Sequence, residues 1–218
     1  MGGSDTIPLS CKGTMCAQPG WYGTRQVSSA ANVPPGRSGE LSWTDKTGNF
    51  WLFGGYGAQG YLGDLWKYSP ATGKWVWIFG TTVSVDVFSG GPKGVYGSLG
   101  APAPDNLPAP RAYPAGWVDS DGNLWLFGGL GYDANGDRGH LNDLWKFNPP
   151  TAEWTWVGGD STLLYVWAGG GAPRPGIYGS LGVPASSNAQ EGATEPSVGP
   201  SSRQRSQDRH SVWIGGRF

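Results

Sequence analysis

The sequence predicts an all-β chain carrying two copies of one four-stranded antiparallel unit. Three observations lead there. The first is self-similarity. Residues 47–77 read TGNFWLFGGYGAQGYLGDLWKYSPATGKWVW, and residues 121–156 return as DGNLWLFGGLGYDANGDRGHLNDLWKFNPPTAEWTW. Such a return is the mark of a repeat architecture. The second is composition. Gly (39), Pro (18) and Trp (13) are all high in 218 residues; Gly and Pro punctuate turns, and Trp suits a pleated, half-buried strand. The third is periodicity: no window keeps apolar residues at i, i+3, i+4 and i+7, so no helix is expected.

The elements follow in order. Residues 1–36 form a connector, and the first unit spans 37–80. In it Gly39–Thr44 is a candidate strand and Asp45–Asn49 a turn of residues that tolerate left-handed backbone. Phe50–Phe53 is a second strand, closed by Gly54-Gly55. Tyr56–Gly63 reads as a loop, Asp64–Tyr68 as a third strand, Ser69–Gly73 as a turn and Lys74–Ile78 as a fourth strand. Short strands joined by tight turns make a meander. A second connector covers 81–110, with Val95-Tyr96-Gly97 embedded in it, and the second unit spans 111–159. Phe127-Gly128-Gly129 follows Phe53-Gly54-Gly55 by 74 positions, whereas Asp143-Leu144-Trp145-Lys146 follows Asp64-Leu65-Trp66-Lys67 by 79. The extra residues therefore fall between second and third strands, where repeat proteins place loop insertions.

Both faces of each strand are apolar. Trp51 and Phe53 point to one side, Phe50 and Leu52 to the other. A sheet solvated on one side alternates apolar with polar. These sheets must be covered twice, most simply by copies of themselves. Ten of the tryptophans sit at matched strand positions: Trp43, Trp51, Trp66, Trp75 and Trp77, then Trp117, Trp125, Trp145, Trp154 and Trp156. They are expected to pack between units, which leaves Trp21 and Trp167 as candidates for a binding surface.

The flanks repeat in part. Residues 1–24 align without a gap on 157–180, bringing Tyr22-Gly23 onto Tyr178-Gly179. The chain thus reads as beginning inside a repeat whose earlier unit is missing. Residues 160–184 are a third connector. Asn188 still aligns with Asn106, but no further Arg, Trp strand or Phe-Gly-Gly follows. Residues 185–218 are irregular, with few large apolar side chains until their last residues. Such a composition cannot offset its ordering entropy. A disordered tail is one reading; a shifted reading frame after about Asn188 is the favoured one.

At these positions the pattern resembles the kelch repeat. In that motif an Arg precedes the first strand, a Gly pair closes the second, and an aromatic and a Trp mark the third and fourth. The matching residues are Arg37, Gly54, Gly55, Tyr68 and Trp75, then Arg111, Gly128, Gly129, Phe147 and Trp154. The wording LNDLWKF followed by WTW is similar to a bacterial kelch subfamily with long Pro/Gly connectors. The resemblance implies an incomplete β-propeller: two four-stranded antiparallel kelch blades plus partial flanking units. Propellers carry 4–8 blades, so two cannot close a ring, and the open apolar faces are expected to drive self-association. The spacing of 74 to 79 exceeds the roughly 50 residues of the usual kelch unit. The function implied is a non-catalytic scaffold that binds a protein or glycan through its blade loops. The alternative is a fragment of a larger secreted propeller enzyme or carbohydrate-binding protein whose site lies on missing blades.

The remaining signals exclude more than they assign. With 14% charged residues and a net charge of −1, the chain lacks the clustered Lys/Arg of a nucleic-acid surface. No stretch approaches the roughly 18 apolar residues of a membrane span. The N-terminus has no signal-peptide pattern; the composition and the resemblance suit a parent that is secreted or at the cell envelope. Cys11 and Cys16 read as free thiols or as a local disulfide. Asp133-Ala134-Asn135-Gly136-Asp137 has the opening of a calcium loop, but Leu144 stands where a bidentate Glu is needed, so a polar turn is expected. His140 and His210 are the only histidines. The galactose-acting copper oxidase among kelch propellers needs His ligands and a Tyr cross-linked to Cys, and no position here matches. No cofactor is implied. Asp64 and Asp143 are expected to bond backbone groups at the strand start; Arg37 and Arg111 are expected to bridge connector and strands.

Overall fold

The computed structural model of the chain describes residues 17–58, 60–80, 91–163 and two short strands at 165–167 and 170–172. These residues are all-β, with no helix among them. Cys11, Cys16, the side chain of Trp167, most of the third connector and the 185–218 tail lie outside the described residues.

The first sheet is built from β1 (Leu41–Thr44), β2 (Phe50–Phe53), β5 (Leu65–Ser69) and β6 (Lys74–Phe79), antiparallel and hydrogen-bonded in that order. The expected loop between β2 and β5 carries a small hairpin, β3 (Tyr56–Gly57) with β4 (Gly60–Tyr61). Tyr56 and Tyr61 pair across it with ring centroids 5.2 Å apart, an aromatic contact strong enough to order two-residue strands.

The second sheet repeats this plan. Its four central strands are β9 (Ala115–Val118), β10 (Leu124–Tyr132), β11 (Arg138–Asn148) and β12 (Glu153–Gly158), again antiparallel and in order. Here the insertion between second and third strands extends the pairing itself, as the far halves of β10 and β11 form one long hairpin. Around it lie β7 (Pro102–Ala103) on β12, β8 (Arg111–Ala112) on the far half of β10, and β14 (Gly170–Ala172), which pairs with β11 in parallel and with β13 (Tyr165–Trp167) antiparallel. Even the irregularities recur: both sheets shift register between the first two residues of the Leu-Trp-Lys strand, at Leu65/Trp66 and at Leu144/Trp145. None of the sheets closes on itself.

The sheets stack face to face. One face of the first sheet, with Leu41, Trp43, Trp51, Phe53 and Leu65, meets one face of the second, with Leu124, Leu126, Trp145, Phe147 and Trp154; all belong to one buried cluster. Trp51 lies 5.7 Å from Phe147, and Phe53 lies 5.7 Å from Trp154. The Trp43 indole N–H donates to the Trp125 carbonyl at 3.0 Å. The two surfaces are not the same surface. Leu124 corresponds to Phe50 and Phe147 to Tyr68, so the second sheet presents the face opposite to the one the first sheet presents.

The expectation that each unit leaves its other face wholly in water needs correction for the first unit. The 17–36 connector lies over the outer face of the first sheet. Tyr22 packs on Trp66 and Trp77 at 4.9 and 5.4 Å, and Trp66 is fully buried. Asn32 holds the connector down by donating to the Val27 and Trp75 carbonyls. The second connector lies over the corresponding face of the second sheet, which is the face that meets the first sheet: Tyr96 packs on Trp145 and Trp156, and Asn106 donates to the Ala101 and Trp154 carbonyls. What stays open is the part of the first sheet's outer face beyond the connector, where Phe50 is 49% exposed, and the outer face of the second sheet, where Trp117 is 46% exposed.

Phe50 and Phe53 therefore separate the two faces energetically. Phe53→Ala should lower the unfolding free energy by about 3–5 kcal/mol through the cavity it leaves. Phe50→Ala should cost about 1 kcal/mol or less. Urea titrations followed by Trp fluorescence measure both; equal losses would contradict the stacking described.

Candidate functional site

The ten motif residues divide by task. Arg37 and Arg111 each enter a buried network that the sequence did not assemble. The Arg37 guanidinium pairs with the Asp64 carboxylate through two hydrogen bonds of 2.6 and 2.8 Å, and also donates to the Pro35 and Gly54 carbonyls. Asp64 further accepts from the Tyr22 hydroxyl and the Trp66 indole, each at 2.7 Å. The second unit repeats every contact: Arg111 with Asp143 at 2.5 and 2.9 Å, with the Ala109 and Gly128 carbonyls, and Asp143 with Tyr96 and Trp145. The expected bridging role of the arginines is seen. That of the aspartates is corrected, because Asp64 and Asp143 accept from side chains and not from backbone at the strand start. Burial is the reason: a carboxylate with no access to water needs charged and strong donors. Burial and the adjacent carboxylate push both the Tyr22 and the Tyr96 hydroxyls well above the usual tyrosine range. Burial works against the Arg111 charge, and Asp143 more than restores it.

The first Gly pair solves a backbone problem between the sheets. Gly54 has φ of +66°, and a Cβ there would lie 2.5 Å from the Arg111 carbonyl oxygen. Gly55 N–H donates to that same oxygen at 2.8 Å, and Arg111 N–H donates to the Leu62 carbonyl at 3.1 Å. Gly128 and Gly129 take the same positive φ. Tyr68 stacks on Phe50 and tilts against Trp75 on the outer face of the first sheet. Their counterparts Phe147 and Trp154 are fully buried between the sheets.

A second repeated device sits in the turn after the first strand. The Asp45 carboxylate accepts from the N–H groups of Thr47 and Asn49, the Asn49 amide and the Trp51 indole. Asp119 accepts from Asp121, Asn123 and Trp125 in the same way. Burial would raise both carboxyls. For Asp45 the bonds from Trp51, Asn49 and Thr47, and for Asp119 those from Asn123 and Trp125, outweigh it and hold both well below the usual carboxylate range.

The insertions between second and third strands gather residues that no motif announced. Tyr61 packs edge-on against Tyr132 at 5.7 Å, and the Arg138 guanidinium lies 5.5 Å from the Tyr61 ring centroid. Burial pushes the Tyr61 hydroxyl up, with Arg138 opposing. Beside them Tyr113 has φ of +58° and is 52% exposed. Its counterpart 74 positions earlier is Gly39, with φ of +66°. Tyr113 N–H donates to the Gly39 carbonyl at 2.7 Å, and a Cβ on Gly39 would lie 2.5 Å from the Tyr113 ring. The alignment of Tyr113 with a glycine was the available signal.

The other candidates fall into place. The Asp133 carboxylate accepts from the N–H groups of Asn135, Asp137 and Leu163 at 2.8 Å each, as a turn-capping residue. Among the described residues no group of three or more His, Cys, Asp or Glu could hold a metal ion. Trp21 is 66% exposed, and Trp117, expected to pack between units, is 46% exposed. No helix among the described residues is long and apolar enough to cross a membrane.

No family model matches the sequence, and no curated protein matches it. Among solved structures the chain is similar to one described as "Structure of YjhT", with 18% identity and a TM-score of 0.40 over 62% of this chain and 41% of that one. This chain thus spans less than half of that protein's length. A superposition of that quality leaves the fold to be argued from the chain's own residues.

Two measurements check the repeated networks. Asp143→Ala leaves Arg111 buried without its counter-charge and should lower stability by about 3–5 kcal/mol; a loss under about 1 kcal/mol in urea unfolding would contradict that burial. Asp45 and Asp119 contribute stability that is present above the unfolded carboxyl value of about 3.9 and is lost as pH falls below it. Replacing both by Asn should flatten the stability profile between about pH 4 and pH 2 and leave its shape from about pH 6 to 8 unchanged.

Proposed function

We propose that the chain contributes two blades of a kelch-like β-propeller and serves as a non-catalytic scaffold that binds a protein or glycan through its loops. The observation that supports this reading most is the stacking of one unit's face on the opposite face of its copy. That is the contact by which identical blades succeed one another around an axis. The repeated carboxylates also favour a structural role: Asp64 and Asp143 are occupied by Arg, Tyr and Trp donors in both units. The insertions between second and third strands differ in length and carry the Tyr61–Tyr132–Arg138 group, and Tyr113, from the segment ahead of the second unit's first strand, lies beside it. Variable loops on a repeated frame are where recognition is placed. Function resides in such sites and not in the frame.

Binding of the full chain to an array of glycans and proteins tests the reading. Tyr113→Ser and Asn135→Lys, at exposed loop positions, should remove the bound set while moving the unfolding temperature little. A profile unaffected by both substitutions, or turnover of an arrayed compound, would overturn it.

A further inference from the structure

The outer faces of the two sheets are complements of each other. We infer that a second copy of this chain docks head to tail on the first, its outer second-sheet face covering the outer first-sheet face. This goes beyond the scaffold reading and stands without it, because it rests on the sheets alone. Inside the chain the contact is made by Trp43, Trp51 and Phe53 against Phe147 and Trp154, and every one of these is 5% exposed or less. The counterparts on the open faces are Trp117, Trp125 and Phe127 on the second sheet, and Tyr68 and Trp75 on the first. Every aromatic of the buried contact thus has an aromatic counterpart outside. Trp117 is 46% exposed where Trp43 is 5% exposed, and Phe50 is 49% exposed where Leu124 is fully buried.

At one pair of facing positions the two contacts differ in size in compensating directions. Inside the chain a Cβ on Gly116 would lie 2.6 Å from the Leu41 side chain and 2.9 Å from the Trp43 indole nitrogen, besides 2.5 Å from the Trp125 carbonyl oxygen of its own sheet. The open first sheet has Ser42 in place of Gly116, and the open second sheet has Ala115 in place of Leu41. The added side chain on one face meets the shorter one on the other. In the docked pair the Trp117 indole N–H takes the place of the Trp43 donor and reaches the carbonyl of the second copy's Trp51. A contact between two different faces is heterologous, so it either closes into a ring or grows as an open chain.

Sedimentation of the full chain over a range of concentrations tests this. The wild type should rise in mass with concentration. Trp117→Glu disables one face and Phe50→Lys the other, so each variant alone should stay monomeric, and an equimolar mixture should form a dimer through the one intact pair. Ser42→Arg, at an exposed position, should block association by bulk without removing apolar surface, and near-ultraviolet circular dichroism reports that each variant is folded. A wild type that stays monomeric throughout would overturn the inference. So would a Phe50→Lys variant that still dimerises, which would mean like faces pair, or a mixture that remains monomeric. Glycan binding by the wild type, lost in Trp117→Glu with no association in either, would assign the stacked Trp117–Trp125 rings to a sugar instead.

Discussion

The ion pair between an arginine ahead of the first strand and the aspartate that precedes the Leu-Trp-Lys segment of the third holds each unit together. Its position explains its weight. Arg37 follows the connector and Asp64 immediately precedes β5, so one contact joins residues 27 positions apart. Tyr22 reaches the same carboxylate from the connector, and Trp66 reaches it from the sheet. A buried pair of this kind loses the solvation of both ions, and the attraction repays that only with good geometry and satisfied lone pairs. Both conditions are met, with side chains 3% and 0% exposed in the first unit and 0% and 0% in the second. Such a network is demanding: losing one member strands the rest in a medium without water. It therefore fixes where the connector lies, and the connector fixes which part of the outer sheet face is covered.

Stacking follows from this. With Tyr96 and Asn106 holding the second connector against β11 and β12, the rest of that same face of the second sheet is free to receive Trp51 and Phe53. Backbone joins the two sheets as well, through Gly55 to Arg111 and Arg111 to Leu62. The arginine that closes the second unit is thus also the residue on which the first unit's Gly pair rests. Local closure and contact between units share one residue, which ties the two together in folding.

How much of this was legible depends on separation along the chain. The strands were readable because each is a local pattern, and observed ends moved by only one or two residues, as at Leu41, Leu65 and Phe79. The turn carboxylates were readable in part, since Asp45 acts within six residues. The Arg–Asp pairing was not. Each residue showed its recurrence, but nothing in a single sequence links two residues 27 or 32 positions apart. The cover over Trp66 escaped for the same reason: Tyr22 lies in a stretch whose Gly, Pro and Ser content reads as a spacer. The hairpin β3–β4 escaped because two-residue strands carry no period.

Tyr113 shows where the repeat gives way to something particular to the second unit. A left-handed backbone costs a non-glycine residue about 1–3 kcal/mol, and glycine avoids it. The first unit has glycine there; the second unit carries the cost. Part of it is offset by the hydrogen bond to Gly39 and by the ring lying over that glycine. The ring fits only because position 39 has no Cβ, so the two positions are coupled: glycine in one unit makes room for tyrosine in the next. Yet half of the ring still faces water, more than a purely packing role requires. A strained, half-exposed aromatic just ahead of the second unit's first strand is a feature that the stacking does not need. That surplus, more than the repeated frame, is what supports the proposal that recognition lies at the loop end.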